Sequence, residues 1–415
     1  MPGEEESVGA PRDATRLLHA LCAIQILLGI GGSAIIPLLP TYLVSHGSTP
    51  AGVGLVMGSF FLAELVSQYP AGRLVDRVGV RPVVAVGLVI FAVGCVGFAF
   101  EHNPAVAIGF RVLQGIGDGA VSVASASAIG ARTRAADRGR AFSLFGASTM
   151  LAFAIGPIIG GAVGSSSIAA LFLAGAAVSL IAVSVTPRLP ATPPRRGGGG
   201  VGATPLGTKP QRPRVVNRAL VGASLALGAT GLVGGLYDGV WSLLLHSRGV
   251  SSFGIASSWT LYCLPYAAAS PFAGRLVSRA DRRVLACAGI VSSAVFASIY
   301  PAIGSGTVLI FVGAAEAFTA VAVIPSAQAV LADHVTGDLH GRAQGIAGSV
   351  RTGAMAVGAI GSGALFGVGH SAPFHAVSVA LMLTALGAAV AWRGVGQRRD
   401  RVAPAAAVAP IGPPA

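Results

Sequence analysis

From Ala141 to Pro187 the chain carries no Asp, Glu, Lys or Arg. So long an uncharged run, relieved only by the polar "GSSS" at Gly164–Ser167, has no place in an ordinary soluble domain. It matches two membrane-crossing helices of about 20 residues each, joined by a short turn. The rest of the chain repeats the pattern. Apolar segments run at roughly 17–39, 51–71, 82–100, 105–129, 141–163, 168–187, 219–244, 252–272, 284–303, 306–331, 343–367 and 372–392, each near the length needed to cross the hydrocarbon. Only 10% of the residues are charged, where a soluble domain has about 25%. The chain is therefore predicted to be an all-α membrane protein of twelve transmembrane helices.

The few charges are sided. If the N-terminus is inside, the cytoplasmic loops hold Arg73, Arg77 and Arg81; Arg132, Arg134, Arg138 and Arg140; the run from Arg188 to Arg218; Arg275, Arg279, Arg282 and Arg283; and Arg342. Both tails are basic, Arg248 alone falls on the other side, and Arg111 and Arg351 lie within spans. This is the positive-inside bias, and it predicts a multi-pass protein of the cell's inner (plasma) membrane with both termini cytoplasmic. It also accounts for the net charge of +13 without any nucleic-acid partner. The first span follows an acidic "GEEES" and ends without an A-x-A site, so it reads as a retained helix and not a signal peptide. Cys22, Cys95, Cys263 and Cys287 lie in or beside apolar runs, without metal-ligand spacing, and read as small core residues.

The two halves match at one constant offset of 202. "AGRLV" occurs at Ala71–Val75 and Ala273–Val277, "GRA" at Gly139–Ala141 and Gly341–Ala343, and Gly47, Gly146, Gly156 and Gly161 meet Gly249, Gly348, Gly358 and Gly363. The organisation predicted is an N-terminal six-helix half over 1–187, a Pro-, Gly- and Arg-rich cytoplasmic linker over 188–217, a C-terminal six-helix half over 218–392 and a disordered tail over 393–415. Parallel repeats of this kind place a binding cavity at their interface, near the bilayer midplane.

With six plus six spans, a basic central loop and "GRLVDRVGVR" at Gly72–Arg81, the chain resembles the major facilitator superfamily. Gly72, Leu74, Asp76, Arg77, Gly79 and Arg81 match that family's loop pattern and Val80 departs; the second copy keeps Gly274, Leu276 and Arg279, with Ser278 and Asp281 as replacements. Gly72 is expected to let the chain turn where the span ends. The resemblance implies a conformational latch in which Asp76 meets the N-terminal end of the eleventh helix, near Gly341–Ala343, where unpaired N–H groups carry partial positive charge. The alternative is that Asp76 and Arg77 merely solvate a loop.

The spans themselves carry charge. In "RVLQGIGDGA", Arg111 and Asp118 are seven residues apart, which on a helix leaves them about 20° apart on one face and about 10.5 Å apart along the axis, too far for a direct ion pair. Gln114 and Ser122 lie near that stripe. A charge facing lipid costs at least about 2.5 kcal/mol, so the stripe is expected to face the cavity. "RVLQGIG" also resembles the family's fourth-span pattern of proton-coupled members, through Arg111, Gln114, Gly115 and Gly117. Glu64, Asp238 and Glu316 lie within or at the margins of spans; Glu316 occupies the repeat position of Gln114, Asp238 is placed near an outer end, and Arg351 lies in the eleventh span. Desolvation favours the neutral form of a carboxylic acid and a nearby guanidinium the ionised form, so a cavity that opens to one side and then the other can load and release a proton. Asp118, Glu316 and Glu64 are the proton-coupling candidates, with Arg111 tuning Asp118. Buried inter-helix pairs, such as Glu316 with Arg351, and recognition of a cationic substrate remain open as alternative roles. Gln114, Tyr237, Asp238, Trp241, Tyr262, Tyr266 and Arg351 are candidate cavity-lining residues, core packing being the plainer role for any one aromatic.

In the fifth span Ser148, Ala152, Gly156, Gly160 and Gly164 recur every four residues, a groove for close helix packing, and Pro157 removes a backbone donor. "AIGPIIGG" resembles the signature of drug:proton antiporters through Gly156, Pro157, Gly160 and Gly161, with Ala152 in place of an upstream glycine. The resemblance implies a secondary transporter that exports small amphipathic compounds, drugs or metabolites, in exchange for protons by alternating access. The partners expected are a small-molecule substrate, protons and the lipid bilayer; the carrier is read as monomeric, with no cofactor and no bound metal. A nutrient importer or uniporter on the same fold is the alternative. No HExxH, GxSxG or P-loop points to an enzyme.

Overall fold

The computed structural model describes residues 11–101, 103–133, 137–164, 167–189, 217–335 and 340–395; most of the tail and of the linker named above lies outside them. The described residues form helices and turns with no strand. The first half holds α1 (Pro11–Ser33), α2 (Leu39–Ser45), α3 (Pro50–Val78), α4 (Val80–Phe100), α5 (Pro104–Arg132), α6 (Arg138–Val163) and α7 (Ile168–Val183). The second holds α8 (Arg218–Leu236), α9 (Ser242–Ser247), α10 (Ser252–Arg279), α11 (Arg282–Ile299), α12 (Gly306–Ala320), α13 (Val323–His334), α14 (His340–Phe366) and α15 (Ala372–Ala391).

These fifteen helices make the twelve predicted crossings, because three crossings are broken and each break has a local cause. Proline clashes with the carbonyl four residues before it. Pro37 therefore ends α1 at Ser33, and Pro325 ends the regular ladder at Val321, between α12 and α13. The seventh crossing instead widens into a π-helical turn at Tyr237–Trp241, between α8 and α9. Among the described residues, ten crossings are long and apolar enough to span a bilayer by composition alone. The two that fall short, α10 and α14, are rich in Ser, Gly and Ala. Lipid-facing surfaces are read directly from exposed apolar residues: Val86, Val89 and Val93 on α4 and Leu383, Leu386 and Val390 on α15 are exposed at helical spacing. A water-facing surface would not carry such stripes.

The internal repeat extends to backbone conformation. Gly47 and Gly249 both have positive φ, 86° and 72°. Two residues on, Thr49 and Ser251 cap α3 and α10, each hydroxyl accepting a backbone N–H, from Gly52 and Gly254. The symmetry fails at the loop motif. Helix α3 runs on through Gly72, and the turn falls at Gly79, whose φ of 91° suits glycine. The expectation that Gly72 makes the turn is thus corrected: Gly72 is a packing position 3.6 Å, measured from an added Cβ, from Val123. In the second copy Asp281 replaces that positive-φ glycine and caps α11, its Oδ1 accepting from the Arg283 N–H at 2.9 Å.

The small-residue groove of α6 packs in two directions. A Cβ on Gly156 or Gly160 would stand 2.0 Å from Ser33 Oγ or the Ala34 carbonyl of the first crossing. Ala152, the departure from the antiporter pattern, is matched by Gly29 opposite it, and Ser33 donates to the Ala152 carbonyl. Gly161 faces the other way, onto Phe253 and Ala256 of α10, and Gly164 ends the helix with φ 83°. Thr260 of α10 donates to the Ala154 carbonyl at 2.9 Å. A second contact between the halves joins α3 to α14: Gly363 lies against the Pro50 carbonyl and Gly54 Cα, and Gly58 against Ile360. Both contacts lie toward the end of the bundle away from the Arg-rich loops. Toward the Arg-rich end, beyond the Ser349–Gln68 contact of α14 with α3, the packing is looser: Gly146, Gly274, Gly345 and Gly348 have open space where a side chain would be, and Phe142 and Phe272 are exposed.

Candidate functional site

A cavity of about 500 Å³ lies between the halves. It begins with how α5 is held. In "GIGDG", Gly115 and Gly119 lie against the backbone of Phe60 and Glu64 on α3, while Gly117 lies against the Gly87 carbonyl of α4. Glycine on two faces lets α5 wedge between two helices, which leaves its third face, with Arg111, Asp118 and Ser122, to the cavity.

Arg111 is buried. Its Nη1 donates to Gln114 Oε1 at 2.6 Å, and its guanidinium lies 4.7 Å above the Phe60 ring. Gln114 was expected in the cavity wall, and this is corrected: it sits behind Arg111 against Gly94 of α4, is almost fully buried, and is not a lining residue. Its short side chain packs into the space Gly94 leaves, and it reaches the cavity only through the guanidinium it holds.

Glu64 and Asp118 line the cavity within electrostatic reach of one another, and Glu64 is also in reach of Arg351. Gln68 Nε2 is 3.5 Å from Glu64 Oε1, and Ser349 of α14 donates to Gln68 Oε1 at 3.4 Å, a long-bonded chain from one half to the other. Asp238 was placed near an outer end with water close by. It lies instead in the π turn, buried and lining the cavity, within electrostatic reach of Arg111 and Arg351. The wide turn is what brings Tyr237, Asp238 and Trp241 to the same wall. Tyr262, Tyr266 and Arg351 also line it.

Glu316 is fully buried on α12 and lines the cavity. It does not pair with Arg351. Tyr237 and Tyr300 both donate their hydroxyls to its Oε2, Tyr300 at 2.6 Å. Ser293 of α11 lies beside the carboxyl group, yet Oε1 has no hydrogen-bond partner. Around it the rings pack on one another: Trp241 and Tyr300 meet edge to face at 5.1 Å, Tyr237 and Trp241 at 5.5 Å, and Trp241 Nε1 donates to Ser258. Tyr300 was missed from sequence, where it stands at the end of an apolar run before Pro301 and looks like an interface aromatic.

Asp76 and Arg77 are exposed at the Arg-rich end, and Gly79 is buried. Residues 336–339, just before α14, lie outside the described residues, as does the side chain of His340. Among the described residues there is no cluster of His, Cys, Asp and Glu that could hold a metal ion.

Among curated proteins, the chain is 32% identical over 136 residues to the quinolone resistance protein NorA of Staphylococcus aureus, covering 33% of this chain and 34% of that protein. It is 33% identical over 150 residues to the inner membrane transport protein YajR of Escherichia coli, 36% of this chain and 32% of that one. The alignments thus span about a third of each relative. Among solved structures, a bacterial homolog of the human lysosomal transporter Spinster, inward-facing and unoccupied, covers 96% of this chain with a TM-score of 0.73 at 15% identity and all of its own. The human organic anion transporter MFSD10 covers 92% with a TM-score of 0.68 at 20% identity, again over its full length. At these identities the structures share the fold. The sequence profile of the Major Facilitator Superfamily matches residues 21–237 and again 223–413, once for each half. A multi-pass chain of two matched six-helix halves around one central cavity, fitted twice by that profile, belongs to the Major Facilitator Superfamily of transporters.

Proposed function

We propose that this transporter is a proton-coupled exporter of small amphipathic compounds, working by alternating access with both termini in the cytoplasm of a bacterial-type plasma membrane. The observation that carries this reading is the charge of the cavity: Glu64, Asp118, Asp238 and Glu316 share one wall-lined space with Arg111 and Arg351, drawn from both halves. A carboxylate that meets a guanidinium in one arrangement of the halves and loses it in the other changes its hold on a proton. Glu64 and Arg351 belong to opposite halves, as do Arg111 and Asp238, so rocking alters both relations. The apolar remainder of the wall suits an amphipathic cargo. The relation to a quinolone resistance protein supports export, through the matched third of the chain.

The test is transport by the purified protein in liposomes with an imposed pH gradient, using a panel of amphipathic amines. Exchange requires that cargo move against the proton gradient and stop when a protonophore collapses it. Asp118→Asn and Glu64→Gln should lose gradient-driven movement and keep downhill exchange. Cargo moving equally well without the gradient, or gradient-driven movement intact in both variants, refutes the reading. In this scheme Asp76 latches the cytoplasmic end to the start of α14 when that end closes. Asp76→Asn should lower the transport rate at unchanged membrane abundance; an unaltered rate removes the latch.

A further inference from the structure

Serine and threonine in a helix can turn their hydroxyls back on the carbonyl three or four residues before. On α10, Ser258, Ser270 and Ser278 do so, onto Ile255, Tyr266 and Arg275. Thr260 does not. It is buried, and its hydroxyl crosses to the other half and donates to the Ala154 carbonyl of α6 at 2.9 Å. The acceptor stands beside a gap in its own ladder. Pro157 has no N–H to offer the Phe153 carbonyl four residues before it. On either side of that gap the carbonyls of Ala152 and Ala154 each take a hydroxyl, Ser33 from within the first half and Thr260 from the second.

The internal repeat supplies the comparison. At the offset of 202, Thr260 corresponds to Gly58 and Ala154 to Ala356. Those two positions also meet: a Cβ on Gly58 would stand 3.0 Å from the Ala356 carbonyl. The α3–α14 seam thus brings the same pair of positions together with no hydroxyl between them, and Ala359 stands there where α6 has Pro157. Two matched seams differ by one hydrogen bond. Rocking that opens the end away from the Arg-rich loops parts α6 from α10 and has to break it. The Ser33 bond lies inside one half and travels with it. The crossing bond also borders the cavity, since Phe153 and Trp259, the residues beside its acceptor and its donor, line the wall.

We propose that the Thr260 hydroxyl is a gate bond. It holds the shut end closed on the α6–α10 seam, has no equivalent at its repeat position on the α3–α14 seam, and so sets the balance between the two accessible states from one side only. Thr260 is a positioning residue for transport. The proposal rests on alternating access, and on neither proton coupling nor the direction of transport.

The experiment is sided labelling of the full-length protein in sealed vesicles of known orientation. Cys22, Cys95, Cys263 and Cys287 are replaced by Ser, and Ser122→Cys puts a thiol on the cavity wall, on α5 and outside both seams. A membrane-impermeant maleimide is applied from the side opposite the Arg-rich loops. Losing one hydrogen bond in Thr260→Val should speed that labelling about threefold or more, with no rise from the Arg-rich side. Thr260→Ser keeps the hydroxyl and should label as the parent does. So should Ser33→Ala, which removes a similar bond to the same helix that rocking does not break. Parental labelling in Thr260→Val, an equal gain in Thr260→Ser or Ser33→Ala, or a gain on both sides, the mark of a loosened bundle, overturns the proposal. Gradient-driven transport without this pattern sinks the gate and leaves the exchange reading standing; the pattern without gradient-driven transport does the reverse.

Discussion

At the scale of single residues, the cavity depends on side chains that never touch cargo. Gln114 is one. Its Oε1 accepts a hydrogen bond from Arg111 Nη1, and removing it leaves a buried guanidinium short of an acceptor, a loss of about 1–3 kcal/mol. Gln114→Ala should lower the melting temperature of the purified protein and reduce transport, although Arg111 is intact. A melting curve and a transport rate on the same preparation check this, and an unchanged pair would show that Arg111 is held by something else. What sequence reasoning could see at this scale was charge in the wrong solvent: Arg111, Asp118, Glu64 and Glu316 were legible because lipid penalises them. What it could not see was direction. Gln114 and Ser122 lie on the same stripe by spacing, yet Gly94 on the neighbouring helix draws Gln114 backward, and that glycine carries no signal of its role until the helices are docked.

At the scale of elements, glycine decides how closely helices approach and where they stop. Gly79 ends α3 at a φ of 91°, so Gly79→Ala is expected to cost about 1–2 kcal/mol. Gly72→Ala, inside the helix with room for a methyl group, should be neutral or slightly stabilising. The two variants compared by thermal melting distinguish a turn glycine from a packing glycine within one motif. Gly160→Ala, whose new methyl would meet the Ala34 carbonyl, should be destabilising by about 1–3 kcal/mol, while Gly146→Ala, facing open space, should not. The element breaks were not legible: Pro37 and Pro325 stand four residues past the points where α1 and α12 lose their ladders, but Pro70 and Pro157 leave α3 and α6 continuous, and each broken crossing reads as one apolar run. The π turn at Tyr237–Trp241 has no such mark, and without it Asp238 reads as a residue near an outer end.

At the scale of the whole molecule, the repeat is the sequence's clearest statement, because a constant offset needs no alignment of homologues to be seen. It foretold two halves and a cavity between them. It did not foretell which end is shut, since that is a relation between halves and not a property of either. The shut end predicts an accessibility pattern. Cys263 lines the cavity. With Cys22, Cys95 and Cys287 replaced by Ser, a membrane-impermeant maleimide should label Cys263 from the Arg-rich side. Gly363→Val, which drives a side chain into the Pro50 carbonyl and Gly54, should open the opposite end and allow labelling from there. Labelling restricted to the original side in that variant would mean the glycine crossing does not govern closure.

Those two seams are built mainly from main chain and apolar side chains: Gly54, Gly58, Ile360 and Gly363 on one, Gly161, Phe253 and Ala256 on the other. These named positions carry no ionisable side chain. In the proposed exchange mechanism, what unlocks these seams acts from within, through the charged groups that line the cavity.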